Sequence, residues 1–159
     1  MPPAPPRLYA MAATGAPVAV VFRRGPASWW HVGRWDLVSG GYEPGAWLRG
    51  MLYPRRCDVS PDGSLLLAFI LKRTGPGFLG AEAGLRSYFT VSKPPWLFAL
   101  AAWEELGTWT RGVHFVEGPV AQRPFALGEP QAGDAAPLRR RYGVELTPIV
   151  QYAAERRRG

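Results

Sequence analysis

The chain has 159 residues, a length that fits one domain with a sizeable hydrophobic core. Apolar residues make up 47% of the chain, which excludes a disordered composition, and the 13% of aromatic residues favour β-strands. The net charge of +7 permits contact with phosphates or acidic partners without requiring either.

The single cysteine and the lengths of the apolar runs indicate the cellular compartment of the protein. Cys57 is alone, which excludes a disulfide within the chain and fits a reducing environment. The proline-rich start is unlike a secretory signal, and the apolar runs Leu65–Leu71 and Trp96–Trp103 fall far short of the roughly 20 residues of a membrane helix. We therefore expect a cytoplasmic protein with no membrane partner.

The first third of the chain contains one predicted hairpin. Residues 1–7 are proline-rich and are predicted to be flexible. Residues 18–37 hold two strand-like runs around a loop at Gly25–Ser28, and alternation places Trp30 and Val32 on one face. Residues 42–56 read as a connection with one short strand.

Ser60-Pro-Asp-Gly63 is the clearest turn signal in the chain, because proline suits the first corner and Asp-Gly tolerates positive φ. With the apolar run that follows, it predicts a hairpin over residues 57–71. Further strands are predicted at 88–91, 96–103 and 113–116, and flanking prolines favour strand over helix for the second of these. The chain thus reads as one domain with an antiparallel β region from residue 18 to 116.

The composition changes after residue 116. Proline, glycine and alanine dominate residues 117–137 and predict an irregular segment. A helical tail is predicted for residues 138–159, with a first turn at Leu138–Tyr142. Its main helix follows Thr147-Pro148, which has the form of an N-cap and a first helical residue.

Two segments resemble the repeats of WD-type β-propellers. Trp35-Asp-Leu-Val-Ser-Gly40 resembles the closing strand of a blade, and Ser60-Pro-Asp-Gly63 resembles the first turn of the next blade. The similarity covers roughly residues 18–116, too few for the ~4 blades of about 40 residues in a closed propeller. Together with Glu43-Pro-Gly45 and Arg55-Arg-Cys-Asp58, these segments also resemble a group of uncharacterised bacterial proteins, which implies no activity.

The expected fold class is therefore mainly β: a curved antiparallel sheet or open propeller-like blades, with a short C-terminal helix. An incomplete sheet leaves edge strands that a protein partner or a second copy of the chain would cover.

Histidines and cysteine do not form a pattern typical of metal binding. His31 and His114 are the only histidines, and neither pairs with Cys57 at metal-ligand spacing. His31 also adjoins two tryptophans in a predicted strand, where packing is the commoner role. The sequence predicts no metal or cofactor.

A catalytic interpretation depends on four residues. Asp36, Asp58 and Asp62 are the carboxylates that a hydrolase-like enzyme would use as acid and base. Cys57 follows two arginines, which would lower the pKa of a nucleophilic thiol. We favour the structural interpretation, in which the aspartates tie turns and strand ends and the cysteine is a small buried residue.

The candidates for binding are arginines near the C-terminus and tryptophans beside predicted turns. Clustered guanidinium groups suit phosphates or an acidic protein surface, although charged chain ends are also commonly just solvated. Exposed tryptophan and arginine together are typical of interfaces. The candidates are Arg139, Arg140, Arg141, Arg156, Arg157, Arg158, Trp29, Trp47 and Trp109.

These observations favour a non-enzymatic interaction or structural module that acts in a complex or a homo-oligomer. The alternative is an accessory nucleic-acid-binding protein that uses the C-terminal arginine clusters. A small hydrolase-like enzyme is the second alternative.

Overall fold

Thirteen β-strands, one short α-helix and one 3-10 turn make up the described part of the chain. The computed structural model describes residues 6–26, 28–74, 84–105, 114–115, 120–122, 132–133, 136–142 and 145–146. Within these ranges no helix has both the length and the hydropathy to cross a bilayer.

The first sheet is a four-stranded antiparallel meander in which each strand pairs with the next along the chain. The pairing of its second and third strands confirms the hairpin predicted for residues 18–37. Its first strand begins inside the segment predicted to be flexible, and its fourth is longer than the short strand expected in 42–56. The strands are β1 (Arg7–Ala12), β2 (Val18–Arg24), β3 (Trp29–Asp36) and β4 (Tyr42–Arg49).

The second sheet has the order β12-β9-β8-β7-β5, and β6 also pairs with β7. It confirms the hairpin over residues 57–71 and the strand at 88–91, whereas the strand predicted at 96–103 begins only at residue 99. Its strands are β5 (Met51–Leu52), β6 (Asp58–Val59), β7 (Leu66–Thr74), β8 (Gly84–Ser92), β9 (Ala99–Glu105) and β12 (Ala132–Gly133).

The remaining elements are short. β10 (His114–Phe115) pairs antiparallel with β11 (Val120–Gln122), which pairs in parallel with β13 (Glu145–Leu146). The segment predicted to be irregular thus contains β11 and β12. Helix α1 (Ala136–Tyr142) includes the predicted helical turn at Leu138–Tyr142 but begins two residues earlier. The prediction of a helical tail over residues 138–159 is wrong at β13, which pairs as a strand with β11. The helix predicted after residue 147 lies outside the described residues.

The hydrophobic core has two layers, one on each face of the second sheet. In β7, Leu66, Ala68 and Ile70 face the first sheet, whereas Leu67 and Phe69 face the opposite way. The first layer is completed by Val20, Phe22, Trp30 and Val32 of the first sheet, together with Leu52, Cys57 and Val59. The second layer is completed by Leu65, Phe89, Val91, Ala101, Trp103 and Leu138 of α1.

The fold is therefore mainly β, with open antiparallel main sheets; the described strands form neither a closed barrel nor a closed propeller. The second sheet is covered on both faces. The first sheet directs one face at the core, which leaves its other face directed outward.

Both layers are expected to stabilise the fold to a similar extent. Leu66→Ala and Leu67→Ala each truncate a side chain that is at most 1% exposed, on opposite faces of β7. Each should lower the free energy of unfolding by about 2–5 kcal/mol in urea denaturation. Leu8→Ala, at a 66% exposed position, should change it by no more than about 0.5 kcal/mol. A small effect for either buried leucine would contradict the two-layer core.

Candidate binding surface

The outward face of the first sheet carries the residues that alternate with its core positions. In β3, Trp30 and Val32 are buried in the core, so Trp29, His31 and Trp35 belong to the opposite face. These outward residues are mostly large rings, and their neighbours on β4 decide what surface they form.

A register shift in β4 places two further rings beside them. Trp47 pairs with His31 and Tyr42 pairs with Trp35, and the shift lies between these pairs. Tyr42 and Trp47 are five residues apart, so a regular strand would direct them to opposite faces. The extra residue of the bulge brings both onto the outward face.

The bulge is held by the turn that follows β8. The carbonyl of Pro95 accepts a hydrogen bond of 3.1 Å from the N–H of Ala46. A Cβ at Gly45 would overlap Pro95, so the close approach requires glycine at this position. The edge strand of the first sheet is thereby fixed to the second sheet at the residues where its register changes.

We call the resulting row of rings the aromatic strip: Trp29, Trp47, His31, Tyr42 and Trp35. The centroids of Trp29 and Trp47 are 6.5 Å apart in an edge-to-face arrangement, and His31 and Trp47 are 4.7 Å apart. Tyr42 continues the row, because its Oη lies 3.4 Å from Nδ1 of His31.

Four members of the aromatic strip are exposed for nearly half of their surface. The exposed fractions are 41% for Trp29, 43% for Trp35, 48% for Tyr42 and 54% for Trp47. His31 is only 8% exposed. Soluble proteins rarely leave so many large rings contiguous and exposed unless that surface binds something.

Gly33 positions the phenol of Tyr42. A Cβ at residue 33 would overlap the Tyr42 ring, so the ring lies directly over the backbone of β3. Glycine here is a packing requirement, since its φ is not among the positive values in the chain. The ring is thereby held against the sheet as part of the strip.

A shallow pocket lies at one end of the aromatic strip. It has a volume of about 420 Å³ and is lined by Pro26, Trp29 and Trp47. None of these side chains has a hydrogen-bond acceptor, so the pocket offers mainly ring surface.

The charge on this face is of one sign. Arg23 pairs with His31 and Arg49 pairs with Trp29, so both exposed arginines belong to the outward set. The acidic residues of the four strands, Asp36 and Glu43, fall in the inward register. No outward position of these strands is therefore a carboxylate.

Two of the predicted binding residues, Trp29 and Trp47, lie on the aromatic strip. Sequence reasoning missed Trp35 and Tyr42. The alternation that places Trp30 inward would have found Trp35, but Tyr42 joins the strip through its cross-strand pairing with Trp35, which no pattern within one strand reveals.

Neither predicted arginine cluster is found on the aromatic strip in the part of the chain that the structure describes. Arg139 belongs to α1, and Arg140 and Arg141 are exposed on it. Because α1 packs on the far face of the second sheet, these residues are not brought near the aromatic strip. Arg156, Arg157, Arg158 and Trp109 lie outside the described residues.

Cys57 is not placed as a nucleophile. It is 3% exposed, and its Sγ donates a hydrogen bond of 3.2 Å to the carbonyl of Tyr53. Burial raises the pKa of this thiol to about 12, despite the two arginines before it. The residue is part of the core between the sheets.

The three candidate aspartates hold backbone in place. Asp36 accepts 2.9 Å hydrogen bonds from the N–H groups of Ser39 and Val38, which lower the pKa of its carboxyl. Asp62 accepts from Ser60 Oγ at 2.6 Å and also from Ser64 in the predicted turn. Asp58 binds the N–H of Phe115 at 2.7 Å and so ties β10 to β6.

His114 lies 3.8 Å from the Asp58 carboxylate and is itself exposed. In the described ranges, no group of three histidine, cysteine or acidic side chains converges as a metal site would require.

Comparisons with known proteins give no further guide to this surface. No family model, no curated protein and no solved structure matches the chain.

The thiol of Cys57 should be inert in the folded protein. With a pKa of about 12, almost none of it is thiolate at pH 8, and the core shields it. A disulfide reagent should react with it only as fast as the protein unfolds, and the rate should rise steeply with urea. A matched C57A/V38C variant carries its thiol where Val38 is 79% exposed and should react at once. Rapid reaction of native Cys57 would contradict its burial.

His31 should make stability fall as the pH falls. Burial and the nearby Arg23 lower the pKa of His31 below its ordinary 6.5, so the unfolded chain binds this proton more readily than the folded protein. The stability is present above pH 6.5 and is lost on acidification below it. Urea unfolding at pH 7.5 and 5.5 should therefore show a larger loss for the native chain than for His31→Gln. Equal losses would refute the assignment.

Proposed function

We propose that this chain is a non-enzymatic binding module whose ligand is single-stranded nucleic acid, bound along the aromatic strip. One observation carries the proposal: a four-stranded sheet presents four half-exposed aromatic side chains beside Arg23 and Arg49, with no carboxylate among the outward positions.

Stacking supports the proposal. Every nucleobase has a π face, and stacking a base on an aromatic side chain contributes about 1–3 kcal/mol with little regard to sequence. Bases are accessible in this way only when they are unpaired, and four-stranded sheets with exposed rings are one established means of binding them.

Charge supports a polyanion over other occupants of the same surface. Arg23 on β2 is the cross-strand partner of His31, and Arg49 on β4 is the partner of Trp29, so both cations adjoin the rings on which a strand would stack and suit its phosphates. A second copy of the chain would bring the same arginines onto this face, and that like-charge approach disfavours face-to-face dimerisation.

This surface differs from the one expected from the sequence. The C-terminal arginine clusters were the predicted nucleic-acid contact, and α1 carries one of them on the other side of the second sheet. The preference for a non-enzymatic module stays, supported by the structural roles of Cys57 and the three aspartates.

Binding should be measurable by fluorescence anisotropy with labelled random 12-mers of single-stranded DNA and RNA. Trp47→Ala and Trp35→Ala should each weaken binding by roughly five- to a hundredfold, the loss of one stacked base. Affinity should fall with salt, with a slope of about 0.7 for each phosphate contacted. A duplex of the same sequence should bind more weakly, because its bases are already stacked.

Trp96→Ala provides the matched control. Trp96 is 52% exposed, as much as Trp47, but lies in the turn after β8 and outside the first sheet. Its loss should leave the affinity unchanged. Equal losses for Trp96→Ala and Trp47→Ala, or no binding of either nucleic acid at low salt, would refute the proposal.

Light scattering and peptide binding test the two other ligands that this face could have. A dimer that Trp47→Ala dissociates would assign the face to a second copy, and tight binding of an acidic peptide without nucleic-acid affinity would assign it to a protein.

A further inference from the structure

The two ends of the aromatic strip are chemically similar but differently surrounded. Trp29 and Trp35 lie on the same strand and the same face, with exposed fractions of 41% and 43%. Six residues of extended strand separate them, a distance of about 20 Å. A difference in ligand binding between them must therefore come from their neighbours.

The Trp29 end carries the shallow pocket. Trp29 and Trp47 meet edge to face at 78°, and with Pro26 they line this open depression of about 420 Å³. A planar ring entering it would contact both indoles at once. At the other end, Tyr42 is held over Gly33 and offers a ring against the sheet surface.

Both outward cations also lie at the Trp29 end. Arg49 is the direct cross-strand partner of Trp29, and Arg23 pairs with His31, two residues further along β3. On the outward face, the partners of Trp35 are Ala19 and Tyr42, neither of which is charged. Arg34, although near, falls in the inward register opposite Val20.

We infer that the Trp29 end is the primary nucleotide site: it holds one base in the pocket formed with Pro26 and Trp47, with the adjoining phosphates on Arg23 and Arg49. The Trp35–Tyr42 end takes a further base only from the same strand. This assignment rests on the proposed function and adds a direction to it, because one end of the strip anchors the ligand and the other extends the contact.

The pocket also determines what kind of base it accepts. The surface that Pro26, Trp29 and Trp47 present to the pocket is apolar, so no hydrogen-bonding group there reads a base edge and discrimination depends on the area of the stacked ring. Purines, with two fused rings, should therefore be preferred over pyrimidines, and DNA and RNA should be accepted alike at this end.

The experiment compares Trp29→Ala with Trp35→Ala across ligand length. A 5′-phosphorylated diadenylate and its diuridylate counterpart are titrated into the protein by NMR, following the indole N–H signals, and adenine 12-mers by anisotropy. Trp29→Ala should weaken binding of both lengths by at least about fivefold. Trp35→Ala should weaken only the 12-mer. Arg49→Ala should lower the salt slope for the 12-mer by about 0.7, the contribution of one phosphate contact.

Trp29→Phe tests whether a loss reflects stacking or folding. It keeps a ring at the pocket and should restore most of the dinucleotide affinity that Trp29→Ala removes, with circular dichroism confirming that both variants are folded.

The outcomes separate the two proposals. Equal losses from Trp29→Ala and Trp35→Ala at each length, or loss of dinucleotide binding in Trp35→Ala alone, overturn the primary site and leave the proposed function standing. Absence of binding by the native chain at every length overturns both.

Discussion

Burial of β7 on both of its faces is the constraint on which the rest of the molecule depends. Leu66 and Ala68 pack in one direction and Leu67 and Phe69 in the other, so the strand cannot lie at a surface. One layer is supplied by α1 with the neighbouring strands, and the other by the first sheet. Because the first sheet has only one face committed to this contact, its remaining face is available to the solvent.

What that face displays follows from one irregularity. Without the register shift, Trp47 would point towards the core and Leu48 would point outward. Tyr42 would then be the only ring of β4 on the outward face, beside Trp35. With the shift, rings from β3 and β4 form one row, and Arg23 of β2 and Arg49 of β4 adjoin this row at its Trp29 end. Ring surface and positive charge therefore come together from three strands, which is why we assign the ligand to this face and not to the arginines of α1.

The sequence predicted the parts of the fold that local chemistry decides. The hairpins at 18–37 and 57–71 follow from turn residues and alternation, which also placed Trp30 and Val32 correctly on one common face. β4 is longer than the short strand predicted in 42–56, because the structure accommodates Pro44 and Gly45 at a bulge in an edge strand. The aromatic strip depends on pairing between strands, and no single-strand pattern reveals a shift of one residue.

The bulge held by Pro95 has a consequence for how this protein tolerates change in length. Adding or removing one residue between Tyr42 and Trp47 would reverse the face of every later side chain in the strand. Trp47 would then point towards the core, and Leu48 would point to solvent. The number of residues between Tyr42 and Trp47 therefore determines the composition of this surface as much as the identity of each ring does. A substitution in this interval would change the affinity of the aromatic strip for its ligand. An insertion would remove Trp47 from the strip altogether.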